Sequence, residues 1–467
     1  MRPGLKNIAF HEDLASFVKN TKTQPVFCPH LNHSPTIKPK SNGADEPAHS
    51  MLILNRIKRT SYTKALSFYN DVVTQSGLRS ARARVLLVCP GYESTFPMIE
   101  SISRHFDLCG IIIKNSTKRT AGSLKALLTT QDYPVLDISK QDIKLASQET
   151  IDKLHTAIGD NNCIVLDHGG YFALNEKILR ALGPDVISGI AEYALNGEQR
   201  YISLNINDRP IISVGRLALK RESDHASADS ILLAAELYLQ NGGVMLFNQD
   251  TKVGVIGHGT LGSRITHQLQ ARHAEKPLVY DTDSGRTTGI PEENIAHRID
   301  ELYAKCDVIF CATGNHAIKA SDFEKVRDGT IIFTVTSPDD ELNLEALLLE
   351  GIISLQEQHE SSQTYIYIVR STGHKIILPF NGESPNTLID FGTADPSIHQ
   401  PCAAHIIAGN RLSQNNLRYS CGVQDLNKED ESLAFDIWQQ HYRMPPTESA
   451  LPFKPPQKNK MEELPCC

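Results

Sequence analysis

The chain has 467 residues, 40% of them apolar and 22% charged, which is too long for one ordinary core and implies two domains plus tails. Lys and Arg number 47 against 54 Asp and Glu, a net charge of −7 that lacks the basic footprint of a general nucleic-acid binder. No run approaches the roughly 18 apolar residues of a membrane span, and the opening MRPGLKNIAFHEDLASF carries no apolar signal core. Ten cysteines, paired in spacing only at the very end, predict a reduced cytoplasmic chain with no disulfide framework and no metal site.

Residues 1–50 read as a flexible leader, because Pro25–Ser50 is rich in Pro, Ser, Asn and His and shows no period. Between this leader and a similar tail at 444–467, short apolar runs alternate with longer amphipathic stretches, the pattern of βαβ units. Strands are expected at Val85–Val88, Ile111–Ile113, Ile164–Leu166, Ile202–Ile206 and Ile211–Val214, and helices at Gln148–Ile158 and Glu176–Leu182. Ala226–Gln240 predicts a helix capped by Ser227, whose hydroxyl can accept an orphan amide hydrogen bond, and stopped by Gly242-Gly243 at a hinge. A second alternating unit follows, with strands at Val253–Ile256, Leu278–Tyr280, Val308–Cys311 and Ile331–Val335, a helix at Leu261–Arg272, and a hairpin of Tyr365–Val369 and Lys375–Leu378. The expected fold class is α/β. A Rossmann-type NAD-binding domain at 241–395 stands beside an α/β substrate domain at 51–240, to which 396–443 returns.

The sharpest motif is VGVIGHGTLGSRI, which sets Gly257, Gly259 and Gly262 in G-x-G-x-x-G register between a strand and a helix. Gly257 permits the turn, Gly259 lets backbone approach a pyrophosphate, and Gly262 lets helix and strand pack closely. Thr260 and Leu261 open the helix, whose N-terminal amides and dipole favour an anion. Asp281 ends the next strand 19 positions after Gly262. A carboxylate there bonds the adenine ribose and repels a 2′-phosphate, so the expected cofactor is NAD rather than NADP. Thr313-Gly314-Asn315 follows a later strand, at the edge where ligands bind in open α/β sheets, and is expected on the nicotinamide side.

From about residue 80 to 420 the chain also resembles the S-adenosyl-L-homocysteine hydrolase (adenosylhomocysteinase) family. The resemblance rests on blocks in order: IVLDHGGYFAL at 164–174, GIAEY at 189–193, LNINDRP at 204–210, GHGTLG, DVIFCATGN at 307–315, FEKVRDGTIIFTVTSPDDEL at 323–342 and TLIDFGTADPS at 387–397. It implies bound NAD, a nucleoside-type small-molecule substrate and a thioether hydrolysis of the methyl cycle, with general bases and a lysine near the ribose. Several positions depart from that pattern. Pro90 and Ser337 stand where the family has histidines, His168 and Tyr193 where it has Asp and Glu, Ile212 at its lysine, and Arg216 at an Asp. Asp390 and Asp395 replace its Asn and His near the end of the last block. These departures predict weak or absent hydrolysis, since each general acid or base is worth about 10²–10⁴-fold.

The candidate catalytic residues are Asp167, Glu192, Asp208 and Lys220. Asp167 with Gly169-Gly170 either holds substrate or makes a strand-end turn. His168 is a proton shuttle or a loop histidine. Glu192 contacts a ligand or caps a helix, and Asp208 lines a cleft or belongs to a turn. Lys220 is the lysine nearest the lost one. Glu93, Ser94 and Thr95 are candidates for the substrate side, with Ser94 as a helix cap in the alternative. Cys466-Cys467 resembles a double prenylation signal but lacks the GTPase body such signals need, so no stable membrane association is expected. Three readings stay open: a hydrolase of this type or a diverged activity, an inactive NAD-binding regulator, and an NAD-dependent 2-hydroxyacid dehydrogenase. A homo-oligomer is left open, and no nucleic-acid partner is expected.

Overall fold

The computed structural model describes residues 60–77, 82–114, 118–160, 162–241, 246, 250–272, 276–314, 317–336, 341–359, 363–386, 396–414 and 419–442. The leader, the tail with Cys466-Cys467, Gly242-Gly243, Asn315, Ser337, Asp390 and Asp395 lie outside these residues.

Helix α1 (Tyr62–Gln75) starts at Ser61, whose hydroxyl accepts from the Lys64 amide, and leads into β1 (Arg84–Pro90). Then come α2 (Phe96–His105), β2 (Asp107–Lys114), α3 (Gln148–Ile158), β3 (Cys163–Asp167), α4 (Glu176–Val186), β4 (Ile187–Glu192), α5 (Leu195–Ser203) and β5 (Pro210–Ser213). The long α6 (Ala218–Asn241) links this part to β6 (Val253–Ile256), α7 (Thr260–Arg272), β7 (Leu278–Tyr280), β8 (Val308–Cys311), β9 (Thr330–Thr334), β10 (Ile353–His359), β11 (Thr364–Val369) and β12 (Lys375–Pro379). The chain then returns through α8 (His399–Ser413), β13 (Gly422–Asp425) and α9 (Lys428–Tyr442).

Two sheets result. The first is six-stranded and parallel throughout, in the order β13-β5-β4-β3-β1-β2. Its inner strands are continuous apolar runs because helices cover both faces, as in β1 and β3. The second has seven strands in the order β10-β11-β12-β9-β8-β6-β7, parallel from β12 to β7 and antiparallel in the β10–β12 meander. This is the α/β class with a Rossmann-type nucleotide unit that the alternation predicts. Helix α6 joins both cores. Leu219 packs with the first sheet's cluster, whereas Ile231, Leu232, Ala235 and Leu239 pack under β6 and β8.

Several expected elements differ. Ile202–Ile206 is not a strand: α5 runs to Ser203, Ile202 is half exposed on it, and Asn205 then takes a left-handed turn at φ 51°. The strand in that region is β4, hidden in the sequence by a glycine and a terminal Glu. Helix α6 begins eight residues before Ala226, so Ser227 is interior and its hydroxyl donates to the Ser223 carbonyl at 3.0 Å instead of capping. Ser94 does not cap either. It sits in a 3₁₀ turn, Glu93–Thr95, and neither that turn nor α2 has a side-chain N-cap bond.

Candidate active site between the two sheets

The nucleotide turn is built as its glycines require. Gly257 adopts φ 91°, and its amide donates to the Tyr280 carbonyl at 2.8 Å, tying β6 to β7. A Cβ on Gly262 would stand 1.8 Å from the Gly257 oxygen, so α7 meets the strand at a distance only glycine permits. Over Gly259 the space is open, and an added Cβ would find only the Arg286 guanidinium at 3.7 Å. That open backbone, at the start of a 13-residue helix, fits a pyrophosphate. The Asp281 carboxylate accepts the His258 amide at 2.6 Å and lies 3.9 Å from Arg286, at the edge where the ribose would sit.

Thr313 and Gly314 follow β8, and both are held by a residue the sequence reading missed. Glu341, fully buried, accepts from the Thr313 hydroxyl, the Gly314 amide and the Thr336 hydroxyl, each at 2.8 Å. Burial pushes its pKa up, and these donors oppose the shift. It fastens the loops after β8 and β9 to each other, and nothing in its local sequence marks a buried carboxylate.

A cavity of about 270 Å³ opens between the carboxyl ends of the two sheets, where open α/β folds bind ligands. Val88 to Pro90 come from the end of β1 and Lys114 from the end of β2, while His168 directly follows β3 and Tyr193 directly follows β4. Leu261 and Thr336 come from the nucleotide side, Lys220 and Asp224 from α6, and His399, Cys402 and His405 from α8. Of the four candidate catalytic residues, Lys220 is in this lining, whereas Asp167, Glu192 and Asp208 are not.

Those three carboxylates have other partners. Asp167, fully buried, accepts amides from His168 (2.7 Å), Tyr171 and Phe172 (3.2 Å each) and the Tyr201 hydroxyl at 2.5 Å. Glu192, also buried, accepts the Gly169 and Gly170 amides at 2.8 Å and the Ala194 amide, at the start of α5, at 2.6 Å. Burial raises both pKa values against these hydrogen bonds. Together they clamp the His168-Gly169-Gly170 turn. Gly170 sits at φ 64°, and a Cβ there would come within 2.8 Å of Gly197 in α5. Asp208 lies before β5, at the opposite end of the parallel strands from the cleft, and pairs with buried Arg209 at 2.8 Å. Arg209 also donates to the carbonyls of Leu179, Gly183 and Ile187.

The turn presents His168 to the cleft, with its ring stacked on Tyr193 at 4.3 Å. Burial pushes the imidazole pKa well below its ordinary value, and Lys114, His405 and Lys220 push it further the same way. Lys220 forms an ion pair with Asp224 and stands 5.3 Å over the Tyr193 ring, while Lys114 lies 5.8 Å from the Tyr171 ring. His405 bonds the Ala191 carbonyl at 2.9 Å, and burial lowers its pKa to about 4. His399 bonds the Tyr69 hydroxyl at 2.6 Å. The site therefore brings two lysines and three histidines against the nucleotide unit.

Comparisons with known proteins bear on that unit. The family model "D-isomer specific 2-hydroxyacid dehydrogenase, NAD binding domain" matches residues 234–347. No match is found among curated proteins. Among solved structures, the chain is similar to NAD+-bound 3-phosphoglycerate dehydrogenase of Entamoeba histolytica, with 14% identity over 74% of this chain and 100% of that one and a TM-score of 0.35. It is likewise similar to a protein from Polaromonas described as a D-isomer specific 2-hydroxyacid dehydrogenase, with 13% identity over 71% of this chain and 97% of that one and a TM-score of 0.37. Residues 234–347 are thus similar to an NAD-binding domain of the 2-hydroxyacid dehydrogenases, and the cofactor of this Rossmann-type unit is NAD.

This match overturns the adenosylhomocysteinase resemblance, and with it the hydrolase activity and the place in one-carbon metabolism. Two of the matching blocks are what such a nucleotide unit needs in any case: GHGTLG is the turn after β6 with the start of α7, and DVIFCATG is β8 with the residues that follow it. On the other side of the cleft, Ile212 at the supposed lysine position is a fully buried core residue of β5. Among the described residues, no helix is long and apolar enough to cross a membrane.

Proposed function

We propose that the protein is an NAD-dependent oxidoreductase that interconverts a 2-hydroxy acid and the corresponding 2-oxo acid. One observation carries this reading: the dehydrogenase-type nucleotide unit faces a cleft holding Lys114, Lys220 and an uncharged His168. Gly257, Gly259, Thr260, Leu261 and Gly262 would hold the pyrophosphate of NAD, Asp281 the adenine ribose, and Thr313, Gly314 and Asn315 the nicotinamide side. NAD supplies a hydride acceptor in one direction and a hydride donor in the other.

The protein's part is positioning and proton handling. Lys114 and Lys220 hold the substrate carboxylate. His168 takes the hydroxyl proton as the substrate is oxidised and returns it in the reverse direction. Its low pKa keeps the imidazole neutral before substrate arrives. A bound carboxylate offsets the lysine charges and brings the pKa back towards neutral pH. Asp167 and Glu192 act as positioning residues, since they hold the turn that carries His168. Asp208 acts further off, by holding Arg209 beneath β5.

The test is direct. The full chain is incubated with NAD and a panel of 2-hydroxy acids, or with NADH and 2-oxo acids, and followed by nicotinamide absorbance. At least one acid is expected to turn over at about 1 s⁻¹ or faster. A folded, NAD-binding protein that oxidises none of them and reduces none of the 2-oxo acids would sink the reading.

A further inference from the structure

Glu341 carries a charge that its own surroundings leave unbalanced. It is fully buried, and the groups bonded to it are neutral donors. Oε1 accepts from the Gly314 amide and the Thr336 hydroxyl, and Oε2 from the Thr313 hydroxyl. Among the described residues no cation pairs with it. Cys311, close by, stays a thiol, because burial raises its pKa well above the ordinary value and Glu341 adds to the shift. Neutral donors hold a carboxylate in its ionised form, but they do not cancel its field. A buried ion without a counter-ion is costly.

The place of this charge in the fold indicates what balances it. Thr313 and Gly314 follow β8, and Thr336 follows β9 and lines the cleft. Both strands lie on the side of β6 away from β7. A dinucleotide that crosses at the β6 turn with its adenosine towards β7 carries its nicotinamide towards β8 and β9. That ring is a cation in NAD+ and neutral in NADH. The acidic side chain in the cleft lining, Asp224, is already paired with Lys220. We infer that Glu341 is the counter-ion of the oxidised nicotinamide ring, so that it selects NAD+ over NADH besides holding the two loops together. This rests on the nicotinamide placement given above and is independent of which acid the protein turns over. A pocket that favours the oxidised form lowers the potential of the bound couple, so the reaction leans towards reduction of the 2-oxo acid.

Glu341→Gln removes the charge and keeps the fastening. Its amide oxygen can take the Gly314 and Thr336 donors, and its NH2 group can donate to the Thr313 hydroxyl, which accepts as well as donates. The full chain is titrated calorimetrically with NAD+, NADH and ADP-ribose. The variant is expected to lose about tenfold or more in NAD+ affinity, while NADH and ADP-ribose change by less than about threefold. Equal losses for NAD+ and NADH, with or without a loss for ADP-ribose, would reduce Glu341 to a brace and overturn the inference. Thr336→Val, which removes a donor and leaves the charge, is expected to keep the NAD+ to NADH ratio of the unmutated chain. A ratio that falls as far as in Glu341→Gln also counts against the charge. The unmutated chain gives a test that needs no variant to fold: NAD+ is expected to bind at least as tightly as NADH, and NADH binding about tenfold tighter removes the inference. The expected ratios with no 2-hydroxy acid turned over remove the oxidoreductase reading and leave the counter-ion standing. Binding of neither dinucleotide removes both.

Discussion

On the nucleotide side, the ligand surface is local. Six consecutive residues, Gly257 to Gly262, supply the turn, the open backbone and the helix start, and Asp281 braces them through the His258 amide. On the six-stranded side, the surface is assembled from the ends of β1, β2, β3 and β4, from α6, and from α8 more than two hundred residues after β3. One half tolerates drift in its surroundings but no change in its own backbone. The other depends on long-range packing, and its reactive groups take their properties from neighbours far away in sequence. A glycine motif therefore announces a cofactor, whereas a substrate site of this kind has no motif.

The sharpest way to break the local half is Gly262→Val. The new Cβ falls where the Gly257 oxygen already is, so the turn must open. Destabilisation above about 4 kcal/mol, in the exceptional range, is expected, together with loss of measurable NAD binding by calorimetry. A folded variant that binds NAD normally would show that α7 does not need its close approach.

The long-range half is probed next by acid. His405 has a folded pKa of about 4 against an ordinary value of 6.5, so the unfolded chain binds the extra proton between these values. Stability from this group is whole above pH 6.5 and is lost as pH falls towards 4. The drop is on the order of 3 kcal/mol. Denaturant midpoints from pH 7 to pH 4 measure it, and His405→Gln is expected to flatten the slope. An equally steep slope in that variant assigns the acid sensitivity elsewhere.

Lys220→Met sharpens the comparison by separating the two halves functionally. It is expected to raise KM for the hydroxy acid by about 10- to 30-fold, about 2 kcal/mol at most, with NAD affinity unchanged. Lys220→Arg should recover part of the loss. A fall in NAD affinity as large as the rise in KM would mean that the halves are not independent.

The pH profile carries a smaller effect with a definite sign. His168 is neutral in the free protein over most of the accessible range, because its pKa is depressed. Bound carboxylate favours the protonated ring, so the acid limb of kcat for oxidation should lie at higher pH than the limb of kcat/KM. Coincident limbs would argue against His168 as the base. Least of all, Asp281→Ala is expected to narrow the preference for NAD over NADP by a few-fold, about 1 kcal/mol. Nearby Arg286 already offsets part of the carboxylate charge.

Much of the fold was legible because parallel strands buried on both faces are short apolar runs, and β6, β7, β8 and α3 fall where those runs and their periodicity place them. β4 escaped because Gly189 interrupts its apolar run and Glu192 ends it. The first two turns of α6 escaped because Lys220, Arg221, Glu222 and Asp224 resemble a polar loop until their packing against both cores is seen. Ile202 misled for the opposite reason, being an apolar residue on the exposed side of α5. In the site, the glycine turn was readable since its chemistry is all in one segment. Lys114, His399 and His405 carried no local signal, and Glu341 reveals its role only through the three donors around it.

The return of the chain to the first sheet also sets an order of assembly. Helix α8, which covers β3 and β4, is translated only after the whole nucleotide unit. Its Asn410 and Arg411 then reach back to Ser76 at 2.7 and 2.6 Å, closing a loop of more than three hundred residues. During synthesis the strands made first wait with an apolar face uncovered, while the unit made later, being continuous, can close as soon as it emerges. The first sheet is thus completed only after α8 has been made. Its waiting surface is what a chaperone holding the nascent chain would meet.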